Sequence, residues 1–90
     1  MKFEWDHNKA ASNFSKHGVS FNQAKTVFND PFYIDFFDPD HSYNEYRYII
    51  IGQSSKNRLL LVSYTEHDER VRLISAREAT RRERKDYEEG

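Results

Sequence analysis

The hydrophobic periodicity of this chain changes from helical to strand spacing at residues 29–31, and that change is the strongest constraint on its fold. Before it, apolar residues recur at helical spacing, as Phe21, Ala24 and Phe28 do. After it, successive side chains are expected to point to opposite faces, with Phe32, Ile34 and Phe36 on one face and the residues between them on the other, which is the period of a β-strand. A chain that passes from helices to strands in this way favours an α+β fold.

Two short helices are predicted before this boundary. Asp6 is placed to cap the first helix, and Gly18 is placed to end it. Ser20 and Gln23 form a Ser-x-x-Gln capping box, which predicts that a second helix starts at once. A short strand over residues 2–5 precedes both helices.

Four strands are predicted after the boundary. They cover residues 32–37, 45–52, 58–66 and 70–77, and residues 38–44 form a polar loop. The connections are so short that neighbouring strands are expected to be antiparallel. The second and third of these strands are apolar on both faces, which predicts central positions with something covering each side.

A last helix is predicted to begin near Ala79. Two capping boxes compete for its start, Ser75 with Glu78 and Thr80 with Glu83. The helix has little apolar surface, so we expect it to serve as a contact surface for a partner. The predicted order is β-α-α-β-β-β-β-α, one domain over residues 1–90 with two N-terminal helices packed on a mainly antiparallel sheet.

Several functional classes are excluded by composition. The chain has no Cys, which rules out disulfides, a thiol nucleophile and Cys-ligated zinc. No apolar run approaches the length of a membrane span, and no signal peptide is seen, so a cytoplasmic setting is expected. The four His lie far apart in sequence and the three Gly are scattered, so neither a metal site nor a cofactor is expected.

A net charge of −1 hides two segments of opposite charge. Residues 30–46 hold five acids and no Lys or Arg, whereas residues 70–85 hold seven bases and two acids. The field of the second segment favours an anionic polymer and makes Arg81 and Arg82 candidate RNA contacts. A solvated helix face with ion pairs explains the same pattern equally well.

Three arginines lie on or at the ends of adjacent predicted strands: Arg47, Arg72 and Arg77. A guanidinium on a sheet can hold a phosphate through two hydrogen bonds and can stabilise the charge that develops in phosphoryl transfer. The alternative is that these arginines form internal ion pairs with acids such as Glu45 or Glu66.

Four aromatic residues are candidates for stacking on unpaired bases: Trp5, Tyr46, Tyr48 and Tyr64. Each of them is more often a core residue in a domain this small, because the chain has few aliphatic residues with which to build a core.

Ordered motifs along essentially the whole chain resemble the BrnT family of toxins from bacterial type II toxin–antitoxin modules. They are FEWDHNKA, NFSKHGVSF, VFNDP, YRYIIIG, LLLVSYTE and RVRLISAREATRRERKDYEEG. The resemblance implies a RelE/ParE-like ribonuclease fold and RNA cleavage that blocks translation. It also implies a BrnA-like antitoxin as partner, and it allows a homodimer within that complex.

RelE-like toxins cleave RNA without a metal, by attack of a 2′-hydroxyl on the adjacent phosphate. The resemblance therefore implies that Arg47, Arg72 and Arg77 bind the phosphate and stabilise the transition state. It makes His67 and Tyr64 candidates for proton transfer, since imidazole titrates near neutral pH.

The N-terminal motif supplies a further set of candidate RNA contacts. Lys9, Lys16 and His17 belong to the matched segment and are implied to hold the RNA backbone, with Trp5 as a stacking group. His17 also has a structural explanation, because a cation at a helix C-terminus is favoured by the helix dipole.

Two other functions stay open on the sequence alone. One is a non-catalytic module that binds nucleic acid or an antitoxin and acts as a co-repressor. The other is a DNA-binding protein that uses the basic last helix, although that helix lacks the apolar backing of a readout helix. Arginines engaged in internal ion pairs would favour the binding module, and one exposed arginine cluster beside a proton-transfer group would favour the ribonuclease.

Overall fold

The computed structural model describes residues 1–42 and 44–90, which form one five-stranded sheet with helices on both faces. The strands are β1 (Lys2–Glu4), β2 (Ile34–Phe37), β3 (Arg47–Gln53), β4 (Leu59–His67) and β5 (Arg70–Glu78), and the α-helices are α1 (His7–His17), α2 (Phe21–Ala24) and α3 (Arg81–Glu89). Two 3-10 helices cover Lys25–Asn29 and Pro39–His41. None of the helices in these residues is long and apolar enough to cross a membrane.

The predicted order of elements and the mainly antiparallel sheet are confirmed. The strands lie in the order β1-β5-β4-β3-β2, and the pairs from β2 to β5 are antiparallel. The first strand adds a pairing that the sequence did not predict, because β1 runs parallel to β5, with Lys2 opposite Arg70.

The sheet is apolar on both faces along β3 and β4, as predicted for central strands. One face packs against α1 and α2, where Phe21, Val27 and Ile50 belong to the larger core cluster. The other face holds a smaller cluster around Ile51 and Leu61, which α3 partly covers. The second face is therefore covered at one end only.

Several predicted boundaries need correction. The second helix is a single α-turn that continues as the 3-10 helix Lys25–Asn29 rather than as one α-helix. The strand predicted from residue 32 begins at Ile34. The loop predicted over residues 38–44 contains the 3-10 helix Pro39–His41, and residue 43 lies outside the described residues. Of the two competing capping boxes, the one at Thr80 and Glu83 forms, because Ser75 lies within β5.

The side chain of Asn13 closes an open edge of the sheet. Because β1 pairs only with the first three residues of β5, the rest of that edge has no strand partner. Asn13 Nδ2 donates to the carbonyl of Ala76 at 2.9 Å, and Asn13 Oδ1 accepts from the Ala76 amide at 3.0 Å. Asn13 Nδ2 also donates to the carbonyl of Val19 at 3.0 Å, so this buried amide fixes α1 to β5.

The carboxylate of Asp30 joins three parts of the molecule. Asp30 Oδ2 accepts from the Gln53 amide at 2.7 Å and from the Tyr87 hydroxyl at 2.6 Å, and Asp30 Oδ1 accepts from the Phe32 amide at 2.9 Å. Burial raises the pKa of this carboxyl, but the three hydrogen bonds outweigh burial and lower the pKa below its ordinary value. A Cβ at Gly52 would lie 3.2 Å from Asp30 Oδ2, which explains glycine at that position.

We expect Asn13→Leu to lower the free energy of unfolding by about 2–4 kcal/mol, because it leaves the buried amide and carbonyl of Ala76 without partners. Urea unfolding measures the change, and the matched control is Asn8→Leu at an exposed position of the same helix. Equal and small losses in the two variants would show that Asn13 does not hold the edge.

We expect the Asp30 carboxylate to make the free energy of unfolding depend on pH in the acidic range. Its folded pKa lies below the unfolded value, so its contribution is complete above the unfolded pKa of about 4 and is lost as pH falls through the folded pKa. Asp30→Asn should therefore lower stability at pH 7 and flatten the loss of stability below pH of about 4. Urea unfolding across that pH range measures this, with the exposed Asp40→Asn as control. An unchanged acid dependence in Asp30→Asn would contradict the assignment.

Candidate functional site

The three predicted arginines lie on one face of the sheet, opposite α1 and α2. On β4, Thr65 is paired with Arg47 of β3 and with Arg72 of β5. Leu61 lies four residues earlier on β4 and is paired with Arg77 of β5. Because paired residues share a face and side chains alternate along a strand, all three arginines point to the same side.

An open cavity of about 550 Å³ lies on this face, between α3 and the loop that precedes β3. Its floor is formed by the strands, and α3 forms one wall. The charged and titratable side chains that line it are Asp38, His41, Arg47, Arg77, Arg82, Glu83 and Asp86. The structure therefore brings Arg47, Arg77 and Arg82 together.

Arg72 and His67 lie outside this cavity, in a neighbouring depression of about 230 Å³. Arg72 Nη2 donates to both carboxylate oxygens of Glu45, at 2.5 and 2.6 Å, which is one of the ion pairs that the sequence analysis considered. The His67 side chain is 91% exposed, and its Nε2 lies 3.6 Å from Asp68 Oδ2. The structure does not place His67 beside Arg47 or Arg77.

Arg77 is held by a carboxylate of α3. Arg77 Nη1 and Nη2 donate to Glu83 Oε1 and Oε2 at 2.8 and 2.9 Å, a two-point ion pair across the cavity wall. The hydrogen bonds raise the pKa of Arg77 and lower the pKa of Glu83. Glu83 also accepts from the Thr80 amide at 2.8 Å, so the same carboxylate caps α3 and neutralises Arg77.

Arg47 differs from the other two arginines. Its Nε is buried and has no hydrogen-bond partner within residues 1–42 and 44–90, and no ion pair to it is found there. Its main chain is fixed on both sides, because the Asp38 amide donates to the Arg47 carbonyl at 2.8 Å and the Arg47 amide donates to Ser42 Oγ at 3.0 Å. Arg47 therefore supplies an uncompensated positive charge at the cavity.

His41, one of the four histidines dispersed along the sequence, also lines the cavity. His41 Nδ1 lies 2.9 Å from Asp38 Oδ2, across the 3-10 helix Pro39–His41. The signal in the sequence is the spacing Asp-x-x-His, because a helical turn brings residues i and i+3 together. That spacing alone does not show that the pair faces the arginines.

Tyr64 lies on the opposite face of the sheet, within the larger core cluster. Its hydroxyl donates to Asp35 Oδ2 at 3.4 Å, and burial together with the Asp35 charge raises its pKa well above the ordinary value. The structure does not bring Tyr64 to the cavity.

Three of the four candidate stacking residues pack with the core. Trp5 contacts Phe21 edge to face, with ring centroids 5.9 Å apart, and Tyr48 stacks on Tyr64 at 5.7 Å. Tyr46 is 70% exposed. The core interpretation therefore fits Trp5, Tyr48 and Tyr64, whereas Tyr46 keeps a ring available at the surface.

The N-terminal candidates line a separate, shallow depression. Lys9, Lys16 and His17 lie along one side of α1, beside residues 74–75 of β5. These two residues sit at an irregularity, since Ser63 is paired with Ser75 and Tyr64 with Leu73. They also line the cavity that holds Arg47 and Arg77, so the irregularity forms a rim shared by that cavity and this depression.

The last helix packs on its own sheet more closely than its sequence predicts. Ala79 and Tyr87 contact the smaller core cluster, and the Tyr87 hydroxyl donates to Asp30. Burial and this hydrogen bond raise the pKa of Tyr87 to about 12. Arg82 lines the cavity that holds Arg47 and Arg77. Arg82 and Arg81 both line a second depression, along the outer side of α3.

Comparisons with known proteins agree with this fold and with the motifs. The family model described as "Ribonuclease toxin, BrnT, of type II toxin-antitoxin system" matches residues 5–83. A crystal structure of the Brucella abortus ribonuclease toxin BrnT is similar, with a TM-score of 0.65, 24% sequence identity, and coverage of 90% of this chain and 99% of that one. No match was found among the curated proteins.

We expect Glu83→Gln to increase the affinity of the cavity for a short single-stranded RNA. The variant keeps the hydrogen bond to the Thr80 amide but removes the charge that neutralises Arg77. A contribution of up to about 1 kcal/mol corresponds to about a fivefold lower Kd. Titration at fixed salt measures it, with Glu88→Gln on the same helix as control. An unchanged Kd in Glu83→Gln would mean that RNA does not approach Arg77.

Proposed function

This chain belongs to the BrnT family of ribonuclease toxins of type II toxin–antitoxin systems, and on that basis we propose that it is an endoribonuclease whose active site is the cavity beside Arg47. Cleavage proceeds without a metal, by attack of an RNA 2′-hydroxyl on the adjacent phosphate. Loss of RNA in this way inhibits translation in a bacterial cytoplasm.

The observation that carries this proposal is the free guanidinium of Arg47 in a cavity that also holds Arg77 and Arg82. Attack on a phosphodiester adds negative charge to the phosphate oxygens in the transition state. Donors that are already in place stabilise this charge, and they do so most strongly where water is partly excluded. Two observations support this role for Arg47: its Nε is buried, and its main chain is hydrogen-bonded to Asp38 and Ser42.

Arg77 takes part once an RNA phosphate competes with Glu83 for its guanidinium. The pair lies at the cavity wall, where a doubly hydrogen-bonded phosphate can replace a doubly hydrogen-bonded carboxylate. Arg72 binds a neighbouring phosphate after a similar exchange with Glu45.

The remaining candidates define a path for the RNA backbone. Lys9 and Lys16 lie across the shared rim from the cavity, and Arg81 and Arg82 continue along the outer side of α3. His17 lines the same depression as Lys9 and Lys16 and stays a candidate backbone contact. His67 and Tyr64 stay predictions from the resemblance and Trp5 stays a prediction from its aromatic ring, since none of the three lines the cavity.

A BrnA-like antitoxin is the proposed partner. An antitoxin that covers α3 and the arginine face together neutralises the toxin by closing the cavity. A homodimer within that complex is part of the proposal, with the edge strand β2 as the place where a second copy would pair.

A non-catalytic module remains the second candidate, and one specific observation favours it. Arg72 and Arg77 are both engaged in internal ion pairs. If those pairs persist with RNA present, the chain binds nucleic acid or an antitoxin and acts as a co-repressor.

We expect purified protein to cleave single-stranded RNA in excess EDTA and Arg47→Ala to lower the rate by about 10²-fold or more. The matched control is Arg70→Ala, at an exposed position on the neighbouring depression. Circular dichroism and melting temperature should stay close to those of the wild type, because the Arg47 head group has no partner to lose among the described residues.

Three results separate the candidates. Cleavage that is lost in EDTA and returns with magnesium contradicts the metal-free mechanism. A wild-type rate in Arg47→Ala contradicts the site. A chain that binds RNA without cleaving it, and that does not arrest growth when expressed without its antitoxin, supports the co-repressor instead.

A further inference from the structure

We propose that His41 is the general base of the cleavage reaction and that Asp38 is its positioning residue. This inference rests on the proposed ribonuclease function and names a proton-transfer group that neither the sequence analysis nor the comparisons provided. The observation behind it is a His–Asp pair at the wall of the arginine cavity, 2.9 Å between Nδ1 and Oδ2.

The pair fixes the tautomer of the imidazole. A carboxylate can only accept, so Nδ1 carries the proton and donates it to Asp38 Oδ2. Nε2 then keeps its lone pair and is free to accept a proton. The Asp38 side chain is 13% exposed and that of His41 is 65% exposed, so the orienting group is sheltered while the imidazole reaches solvent and substrate.

Hydrogen bonds connect the loop that carries the His–Asp pair to the main chain of Arg47. The Asp38 amide donates to the Arg47 carbonyl at 2.8 Å, and Ser42 Oγ donates to the Asp38 carbonyl at 2.6 Å. Ser42 Oγ in turn accepts from the Arg47 amide at 3.0 Å. The segment that carries the His–Asp pair and the first residue of β3 are therefore hydrogen-bonded to each other.

The charged groups that face His41 come from two sides. Arg47 and Arg77 lie on the strands, and Arg82, Glu83 and Asp86 lie on α3. Of the four imidazoles, all within the described residues, His41 is the one that lines this cavity.

His41 Nε2 takes the proton of the RNA 2′-hydroxyl, and the electron pair of that oxygen forms a bond to phosphorus. The bond from phosphorus to the 5′ oxygen breaks with its electron pair, and this oxygen takes a proton from water. The products are a 2′,3′-cyclic phosphate and a 5′-hydroxyl, and the imidazolium returns its proton to water.

Single-turnover cleavage of an end-labelled single-stranded RNA in excess EDTA tests the assignment. We expect His41→Ala to lower the rate by about 10²- to 10⁴-fold. Binding of a 2′-O-methyl RNA of the same sequence should stay unchanged, because that analogue cannot be cleaved. Added imidazole should restore part of the rate of His41→Ala, since it supplies the missing base from solution.

Matched variants complete the design. His7→Ala removes an exposed imidazole at the start of α1 and should leave the rate, with and without imidazole, unchanged. Asp38→Asn keeps the size of the side chain but removes its charge, so its rate should fall by a smaller factor than in His41→Ala. Asp38→Glu should recover part of that loss if the carboxylate acts through the imidazole.

The outcomes distinguish this inference from the proposed function. A wild-type protein that does not cleave RNA overturns both. A wild-type protein that cleaves, with His41→Ala at the same rate or with a lost rate that imidazole does not raise, overturns the inference and leaves the function standing. A loss in His67→Ala that imidazole restores, with His41→Ala unaffected, assigns the base to His67 instead.

Discussion

The rest of this structure depends on a central strand pair that is apolar on both faces. β3 and β4 need a cover on each side, since exposed aliphatic side chains there would cost about 25 cal/mol for each Å² left in water. α1 and α2 cover one face along its length, whereas α3 covers only one end of the other. The uncovered part of that second face is the floor of the cavity, so the site follows from the way the core is closed.

The wall of that cavity is held by polar contacts more than by apolar ones. Tyr87 of α3 packs against the smaller core cluster beside Ala79, which precedes the helix. The position of α3 is then fixed by Thr80 capping, by the pair between Arg77 and Glu83, and by the hydrogen bond from Tyr87 to Asp30. Each of these contacts depends on charge or protonation. The wall is therefore the part of the fold that salt and pH affect most directly.

Charge in the cavity is distributed unevenly among the basic side chains. Glu83 compensates Arg77 and Glu45 compensates Arg72, while Arg47 has no carboxylate partner among residues 1–42 and 44–90. The acidic residues that make the whole chain nearly neutral thus act locally, by neutralising particular arginines. Overall charge is a poor guide to this surface for that reason, because the local pairing decides which guanidinium groups are already engaged.

The sequence by itself determined the local structure and the family. Capping at Asp6 and Ser20 and the change of period near residue 30 indicate helices and strands, because these signals act between residues a few positions apart. The choice between the capping boxes at Ser75 and Thr80 needed the structure, in which Ser75 lies within β5. Only the tertiary structure decided that β1 runs parallel to β5 and that Glu83 forms an ion pair with Arg77. It also decided that the His–Asp pair lines the same cavity as Arg47. These contacts join elements whose relative placement is set by burial of the two sheet faces, and no local pattern encodes that placement.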